Sequence, residues 1–123
     1  MRRLILSSFL AATLFAPAGP APAANYPVSG KWGVGAPHSD EAIDCSGLRV
    51  IAFNGNQRTD SKGGVPAYRN VSVTTASGGY RVSDEVTTGQ ISNAHVNYTL
   101  RLIDAGHLEL KQAGGTLKLQ RCK

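Results

Sequence analysis

The sequence predicts an all-β protein, and more narrowly a single small antiparallel up-and-down β-barrel of about eight strands. The first observation is that apolar and polar residues alternate with a period of two along most of the chain. The second is that Gly, Asn and Asp interrupt this alternation at short intervals, as they do at hairpin turns. No helical spacing of apolar residues persists. A two-layer β-sandwich has the same alternation and stays open as the alternative architecture.

The N-terminal stretch has the features of a signal peptide. Residues 2–3 are arginines, residues 4–15 are almost entirely apolar, and residues 21–23 (Ala-Pro-Ala) form a small-residue cleavage site. The apolar run is shorter than the roughly 20 residues that a membrane-spanning helix needs. We therefore expect residues 1–23 to be removed on export and residues 24–123 to form one β-barrel domain. The mature protein is then periplasmic or secreted, without a membrane span.

The charge balance is that of an ordinary small domain. The sequence has 13 Lys and Arg residues against 8 Asp and Glu residues. Without the two arginines of the signal peptide, 11 basic residues remain and the net charge is +3. These residues stand singly rather than in runs, so we expect no nucleic-acid partner. The expected partner is another secreted or periplasmic protein or a small apolar ligand, and the expected state is a monomer.

Cys45 and Cys122 are the two cysteines of the sequence. Export delivers both to an oxidising compartment, so the simplest interpretation is one disulfide between an early loop and the last strand. In the chain-entropy model, closing so long a loop removes on the order of 4–5 kcal/mol of unfolded-state entropy. Two free thiols or a shared metal are the alternatives, although neither cysteine has a Cys-x-x-Cys partner or a nearby His.

Turn signals divide the domain into strands. Predicted strands lie around residues 28–34, 48–54, 57–61, 68–75 and 80–86, and three more follow Gly89, Gly106 and Gly115. Strict alternation places Val71 and Val73 inside and Asn70 outside, and it keeps Leu102 inside on the sixth strand. Asp84 shares the inner face of the fifth strand, so either that strand ends nearby or the carboxylate points into the barrel mouth.

Tyr80 and Tyr98 share the inward face of their strands, and a ligand inside the barrel would contact them. In a domain this short, we expect inward side chains to fill the core instead. The two hydroxyls would then need hydrogen-bond partners at the barrel mouths.

Gly30-Lys31-Trp32 on the first strand and Arg121 on the last resemble the signature of the calycins, the superfamily of lipocalins and avidins. The resemblance implies a barrel-end cap of Gly30, Trp32 and Arg121, in which the guanidinium stacks over the indole. The sequence is also similar to the small periplasmic barrels that inhibit secreted metalloproteases, which carry one disulfide and use an N-terminal trunk. Residues 24–29 would be that trunk. A Cys45–Cys122 bond beside the cap would pin the seam between the first and last strands.

No catalytic constellation emerges from the residue pattern. His38, Ser39 and Asp40 are the residue types of a nucleophilic triad, but adjacent residues cannot converge as a triad requires. The acidic residues of the same loop lack the spacing of a calcium loop. His95 and His107 lie too far apart along their strands to share a metal. We expect no enzymatic activity, no metal and no cofactor.

A small basic face is predicted on the last three strands. Counting residues back from the last two turns places Arg101 opposite Glu109 and Lys111 opposite Lys118. Arg101, Lys111 and Lys118 then form an exposed cluster that could contact an anionic polymer or lipid headgroup.

Three functions follow from these observations. The first is a binding or inhibitory module without catalysis, acting on an envelope protein or a small ligand. The alternative is a structural or surface-associated envelope protein that binds anionic lipid or polysaccharide. A hydrolase built on the polar loop around His38 comes third.

Overall fold

Eight antiparallel strands pair in chain order in this computed structural model, which describes residues 24–35, 38–62, 67–87 and 94–123. The strands are β1 (Gly30–Val34), β2 (Val50–Asn54), β3 (Gln57–Asp60), β4 (Ala67–Ala76), β5 (Gly79–Val86), β6 (His95–Asp104), β7 (His107–Gln112) and β8 (Gly115–Arg121). None of the described residues belongs to a helix long and apolar enough to cross a membrane. The expected signal peptide lies outside the described residues.

The first and last strands close the sheet into a barrel. β1 and β8 run antiparallel, with Trp32 opposite Arg121 and Val34 opposite Leu119. Each strand therefore has a neighbour on both sides, which removes the exposed edges of an open sheet. The predicted all-β barrel is confirmed, and the sandwich alternative is wrong.

Alternate residues of the strands fill the inside of the barrel, as the period of two predicts. The largest wholly buried apolar side chains are those of Trp32, Ile51, Leu100, Leu108 and Leu110. Apolar side chains from both halves of the chain thus meet in a single continuous core.

The alternation fails in β4 because that strand contains a β-bulge. Pairing with β5 passes from Asn70 opposite Asp84 directly to Ser72 opposite Ser83, which leaves Val71 without a partner. Such an extra residue reverses the facing of the residues before it. Asn70 is consequently 1% exposed and Val71 is 43% exposed, the opposite of the sequence-based expectation.

The last part of β6 also departs from strict alternation. Pairing with β7 is irregular between Leu102 and Asp104, and Asp104 lies opposite His107. Alternation predicts that Leu102 faces the core, but its side chain is 47% exposed, so this prediction is wrong. The expected pairing of Arg101 with Glu109 is confirmed.

The β7–β8 hairpin turns one residue earlier than the sequence suggested. Its central residues are Ala113 and Gly114, so Lys111 lies opposite Thr116. Lys118 lies opposite Glu109, and the expected Lys111–Lys118 pairing is wrong. A glycine pair in a tight turn fits either register, which is why the sequence pattern misplaced it.

Residues 38–45, which we call the strap, fold back over the outside of the seam between β1 and β8. Ile43 forms an isolated parallel bridge with Cys122. The Gln120 side chain donates to two strap carbonyl oxygens over 2.8 and 3.1 Å and accepts one strap N–H over 3.1 Å. The predicted disulfide between Cys45 and Cys122 is confirmed, with 5.6 Å between the Cα atoms.

Candidate functional site

A buried polar cluster lies among the apolar side chains of the barrel interior. The Asp84 carboxylate is wholly buried and accepts hydrogen bonds from Arg58 Nε at 2.8 Å and from the Tyr98 hydroxyl at 2.6 Å. Asn70 Nδ2 donates to its second oxygen over 3.2 Å. The Arg58 guanidinium also lies 3.9 Å from the centre of the Tyr68 ring. These contacts satisfy a charge that burial alone would make very unfavourable.

Local structure explains how these polar side chains reach the interior. The β2–β3 hairpin sets Arg58 opposite Phe53, so both face inward. The bulge in β4 turns Asn70 inward beside Asp84. Burial, followed by the negative charge of Asp84, raises the pKa of the Tyr98 hydroxyl well above its ordinary value. The hydroxyl therefore stays protonated and acts as a donor.

The barrel holds little free space. A cavity of about 70 Å³ lies at the end of the barrel opposite Trp32, and Tyr98 is among the residues that line it. Tyr80 does not line this cavity; it is partly buried against the core and borders a hollow on the outer surface. This cavity is too small for an apolar ligand of lipid size.

The other end of the barrel carries the side chains of the expected cap. Trp32 is wholly buried, and its Nε1 donates to the Ser29 carbonyl oxygen over 3.0 Å. The Arg121 guanidinium lies 4.5 Å from the Trp32 ring centre, and Arg121 Nε donates to the Ala105 carbonyl oxygen over 3.0 Å. Gly30 has φ +94°, and a Cβ there would meet the guanidinium at 3.1 Å. The Gly-x-Trp pattern thus has a local physical reason.

The segment before β1 packs against this end of the barrel. Tyr26 N donates to the Gly55 carbonyl oxygen over 2.9 Å, and the Tyr26 ring meets Phe53 edge-on at 5.0 Å. Tyr26 is 7% exposed. Residues 24–29, the expected inhibitory trunk, are therefore anchored to the barrel through Tyr26.

The strap holds the residue types that suggested a triad, and two of them meet on the exposed surface, where His38 Nε2 lies 3.5 Å from Asp40 Oδ1. Ser39 Oγ accepts a hydrogen bond from the Glu41 N–H at 3.2 Å rather than contacting a histidine. His38 also stacks on His107, with 4.4 Å between ring centres. His107 Nδ1 lies 2.7 Å from Asp104 Oδ1, and this hydrogen bond raises the pKa of His107. Within the described ranges, no group of three or more His, Cys, Asp and Glu side chains could hold a metal.

A polar groove runs over the outer face of β4 to β8, and we call it the outer groove. It consists of two adjoining hollows of about 580 and 380 Å³. Both are lined by Thr99 and Lys111. Strand pairing sets five outward residues side by side across the groove: Thr74, Arg81, Thr99, Lys111 and Thr116. A second row, formed by Ser72, Ser83 and Asn97, lies next to it.

The outer groove contains two cations without acidic partners. In the described part of the chain, neither Arg81 nor Lys111 makes an ion pair, and no Asp or Glu lines the larger hollow. Arg49, Arg58, Arg69 and Arg101 differ, since each contacts a carboxylate, whereas Arg121 stacks over Trp32.

The predicted basic face is therefore composed differently. Arg101 NH1 lies 3.5 Å from Glu109 Oε1, and Lys118 is opposite the same glutamate, so their charges are partly neutralised. Lys111 remains, and its companion is Arg81, which the sequence analysis missed. The signal was the register between β5 and β6, which places Arg81 and Lys111 on either side of Thr99.

Comparisons of the chain with protein-family models, with curated proteins and with solved structures found no match. The structure shows a closed eight-stranded antiparallel barrel, and the resemblance to calycins stays a prediction.

Proposed function

We propose that the protein is a non-catalytic binding module of the periplasm or the extracellular space, and that its ligand contacts the outside of the barrel wall. The outer groove carries this proposal, because its lining residues are mainly of polar type and two of its cations, Arg81 and Lys111, make no ion pair with another described residue. Charged groups held without partners on a folded surface are available to a ligand of opposite charge.

The interior of the barrel also supports a ligand that contacts the outside of the wall. Ligand-binding pockets in proteins usually have volumes of about 300–1,000 Å³. The cavity inside this barrel has a volume of about 70 Å³, several times smaller. Asp84, the buried carboxylate, is already engaged by Arg58 and Tyr98 and is not free to act as a base. These features argue against an enclosed apolar ligand and against hydrolysis.

The disulfide supports the proposed compartment. A bond between Cys45 and Cys122 persists in oxidising surroundings, which agrees with the signal-peptide pattern of residues 1–23. The anchored position of Tyr26 argues against a freely projecting inhibitory trunk.

Nuclear magnetic resonance of the ¹⁵N-labelled mature protein tests the proposal. The protein is titrated with decanoate as a small apolar ligand, with neutral and charged soluble polysaccharides, and with an envelope protein extract. We expect saturable shifts at outer-groove amides such as Ser72, Arg81 and Thr99. Shifts confined to interior residues such as Leu100, or no saturable shift with any ligand, would contradict the proposal.

A further inference from the structure

We infer that the outer groove binds an anionic polysaccharide, a glycan chain bearing carboxylate or sulfate groups. This inference rests on the proposed function, which requires a ligand on the outer wall but does not specify its chemistry. The argument uses the spacing of the two cations, the polar lining and the shape of the groove.

The two cations are placed to bind two anionic groups of one extended chain. Arg81 lies on β5 and Lys111 on β7, and Thr99 of β6 is opposite both. Since neighbouring strands are about 4.8 Å apart, the Cα atoms of the two cations are roughly 10 Å apart. Ammonium and guanidinium groups form charge-assisted hydrogen bonds with carboxylate and sulfate oxygens. A ligand that crosses the strands can therefore contact both side chains at once.

The lining between and beside the cations matches a hydroxylated chain. Ser72, Thr74, Ser83, Asn97 and Thr99 line the larger hollow. Hydroxyl and amide groups both donate and accept hydrogen bonds, as sugar hydroxyls do. The groove therefore offers partners for the uncharged part of a polysaccharide as well as for its anionic groups.

The smaller hollow extends this surface beyond Lys111. Gly79 borders it, and a Cβ at that position would collide with the Leu100 carbonyl oxygen. Glycine at this position lets β5 lie close to the backbone of β6. The half-buried Tyr80 and the exposed Thr116 also line the hollow. A chain longer than one sugar can thus continue from the larger hollow into the smaller one, where it meets the ion pair of Arg101 and Glu109.

A lipid surface fits this groove less well than a polysaccharide does. Peripheral membrane binding combines cations with apolar side chains that enter the bilayer. The large apolar side chains at the larger hollow, Val82 and Tyr98, are 2% and 6% exposed. Three large apolar side chains are exposed among the described residues, and none of them lines either hollow: Leu102, Ile103 and Val71, the residue that precedes Ser72. Because the outer groove has cations but no exposed large apolar side chain in its lining, it favours a water-soluble anionic polymer.

Binding of fluorescently labelled polygalacturonate, dextran sulfate and neutral dextran, followed by anisotropy at low ionic strength, tests the inference. We expect saturable binding of an anionic polymer, weakening steeply with added salt, and little binding of neutral dextran. The double variant R81Q/K111Q should weaken this binding by about tenfold or more, because two charge-assisted contacts are lost. The matched control K31Q/K62Q removes the same charge elsewhere on the surface and should change Kd by less than about twofold.

Each remaining outcome has a defined meaning. Equal weakening by the two double variants would overturn the inference, because overall charge and not the groove would then govern binding. Tighter binding to phosphatidylglycerol vesicles than to either anionic polymer would overturn it in favour of a lipid surface. Binding of only a neutral polysaccharide or a protein at outer-groove amides would overturn it and leave the proposed function standing. If no ligand binds at those amides, both the inference and the proposed function are overturned. Unchanged circular dichroism and melting of the variants establish that they are folded.

Discussion

The substitution Arg58→Met should destabilise the barrel far more than its modest change in side-chain volume suggests. It removes the cation that lies 2.8 Å from the Asp84 carboxylate, and Asp84 is wholly buried. Tyr98 and Asn70 would still donate hydrogen bonds to the carboxylate, but no positive charge would face it. Breaking one side of a buried ion pair costs about 3–5 kcal/mol. In a domain of about 100 residues, this corresponds to a fall in Tm of at least about 12 °C.

A second substitution separates the effect of charge from the effect of packing. Asp84→Asn keeps the shape of the side chain and removes its charge. If the uncompensated carboxylate causes the loss, R58M/D84N should be more stable than R58M, although it carries one substitution more. Because the two side chains are in contact, the double-mutant cycle should give a coupling energy of about 0.5–3 kcal/mol.

Urea unfolding measures these differences, with two signals that report different parts of the fold. Trp32 is the one tryptophan of the sequence and is wholly buried, so its fluorescence reports the barrel interior. Far-ultraviolet circular dichroism reports the sheet. Arg81→Met, the same substitution at an exposed arginine without an ion pair, should change stability by less than about 0.5 kcal/mol. Similar midpoints for R58M and R81M, or strictly additive effects in the cycle, would refute the reasoning.

Three further predictions concern other parts of the molecule. Replacing Cys45 and Cys122 with Ser should lower the free energy of unfolding by about 2–5 kcal/mol, with about 4.5 kcal/mol worked from their separation of 77 residues; an unchanged urea midpoint would contradict this. Gly79→Ala should cost about 1–3 kcal/mol in the same assay, because the new methyl group collides with backbone. Asp104→Asn should lower the pKa of His107 towards its ordinary 6.5, measured by NMR titration; an unchanged His107 pKa would exclude their coupling.

The same Asp104–His107 pair predicts the sign of a pH effect. The His107 pKa is raised, so its contribution to stability is full below 6.5 and is lost as the pH rises through the folded-state value. The Asp104 pKa is lowered, mainly by the His107 hydrogen bond, so its contribution is full above 3.8 and is lost on acidification. The pair therefore contributes most between about pH 4 and 6.5, and D104N should flatten this part of the stability profile.

The all-β architecture could be predicted because alternation and turn residues agree over most of the domain, although the same pattern also fits a two-layer sandwich. Most strands present apolar residues at alternate positions, although β3 is polar throughout, and four of the hairpins (β2–β3, β4–β5, β6–β7 and β7–β8) have tight turns of two residues. This pattern leaves few arrangements that both bury the core and satisfy the strand edges. The disulfide could also be predicted, because an exported chain with two cysteines has one simple pairing.

The buried ion pair could not be predicted from the same pattern. β3 consists of polar residues, so nothing in its own sequence indicates that Arg58 faces inward. Its facing follows from the register of the β2–β3 hairpin, and the facing of Asn70 follows from a bulge that has no fixed residue signature. Asp84 was noted as inward-facing, but its partner lies 26 positions away in the sequence.

The outer groove was missed for a related reason. The sequence indicates Lys111 as part of a basic face. Its predicted neighbour depends on the register of the glycine-rich β7–β8 turn, and the predicted register is wrong by one residue. Arg81 and Thr99 become neighbours only through the pairing of β5 with β6. No tight-turn motif joins those two strands, so their register could not be counted from a hairpin.

The disulfide has a topological consequence. The bond between Cys45 and Cys122 makes a covalent ring that contains β2 to β8. Of the eight strands in the described ranges, β1 alone lies outside that ring, together with Trp32. β1 can therefore leave the wall and be replaced by the β1 of a second molecule with both disulfides intact, which is the requirement for domain swapping.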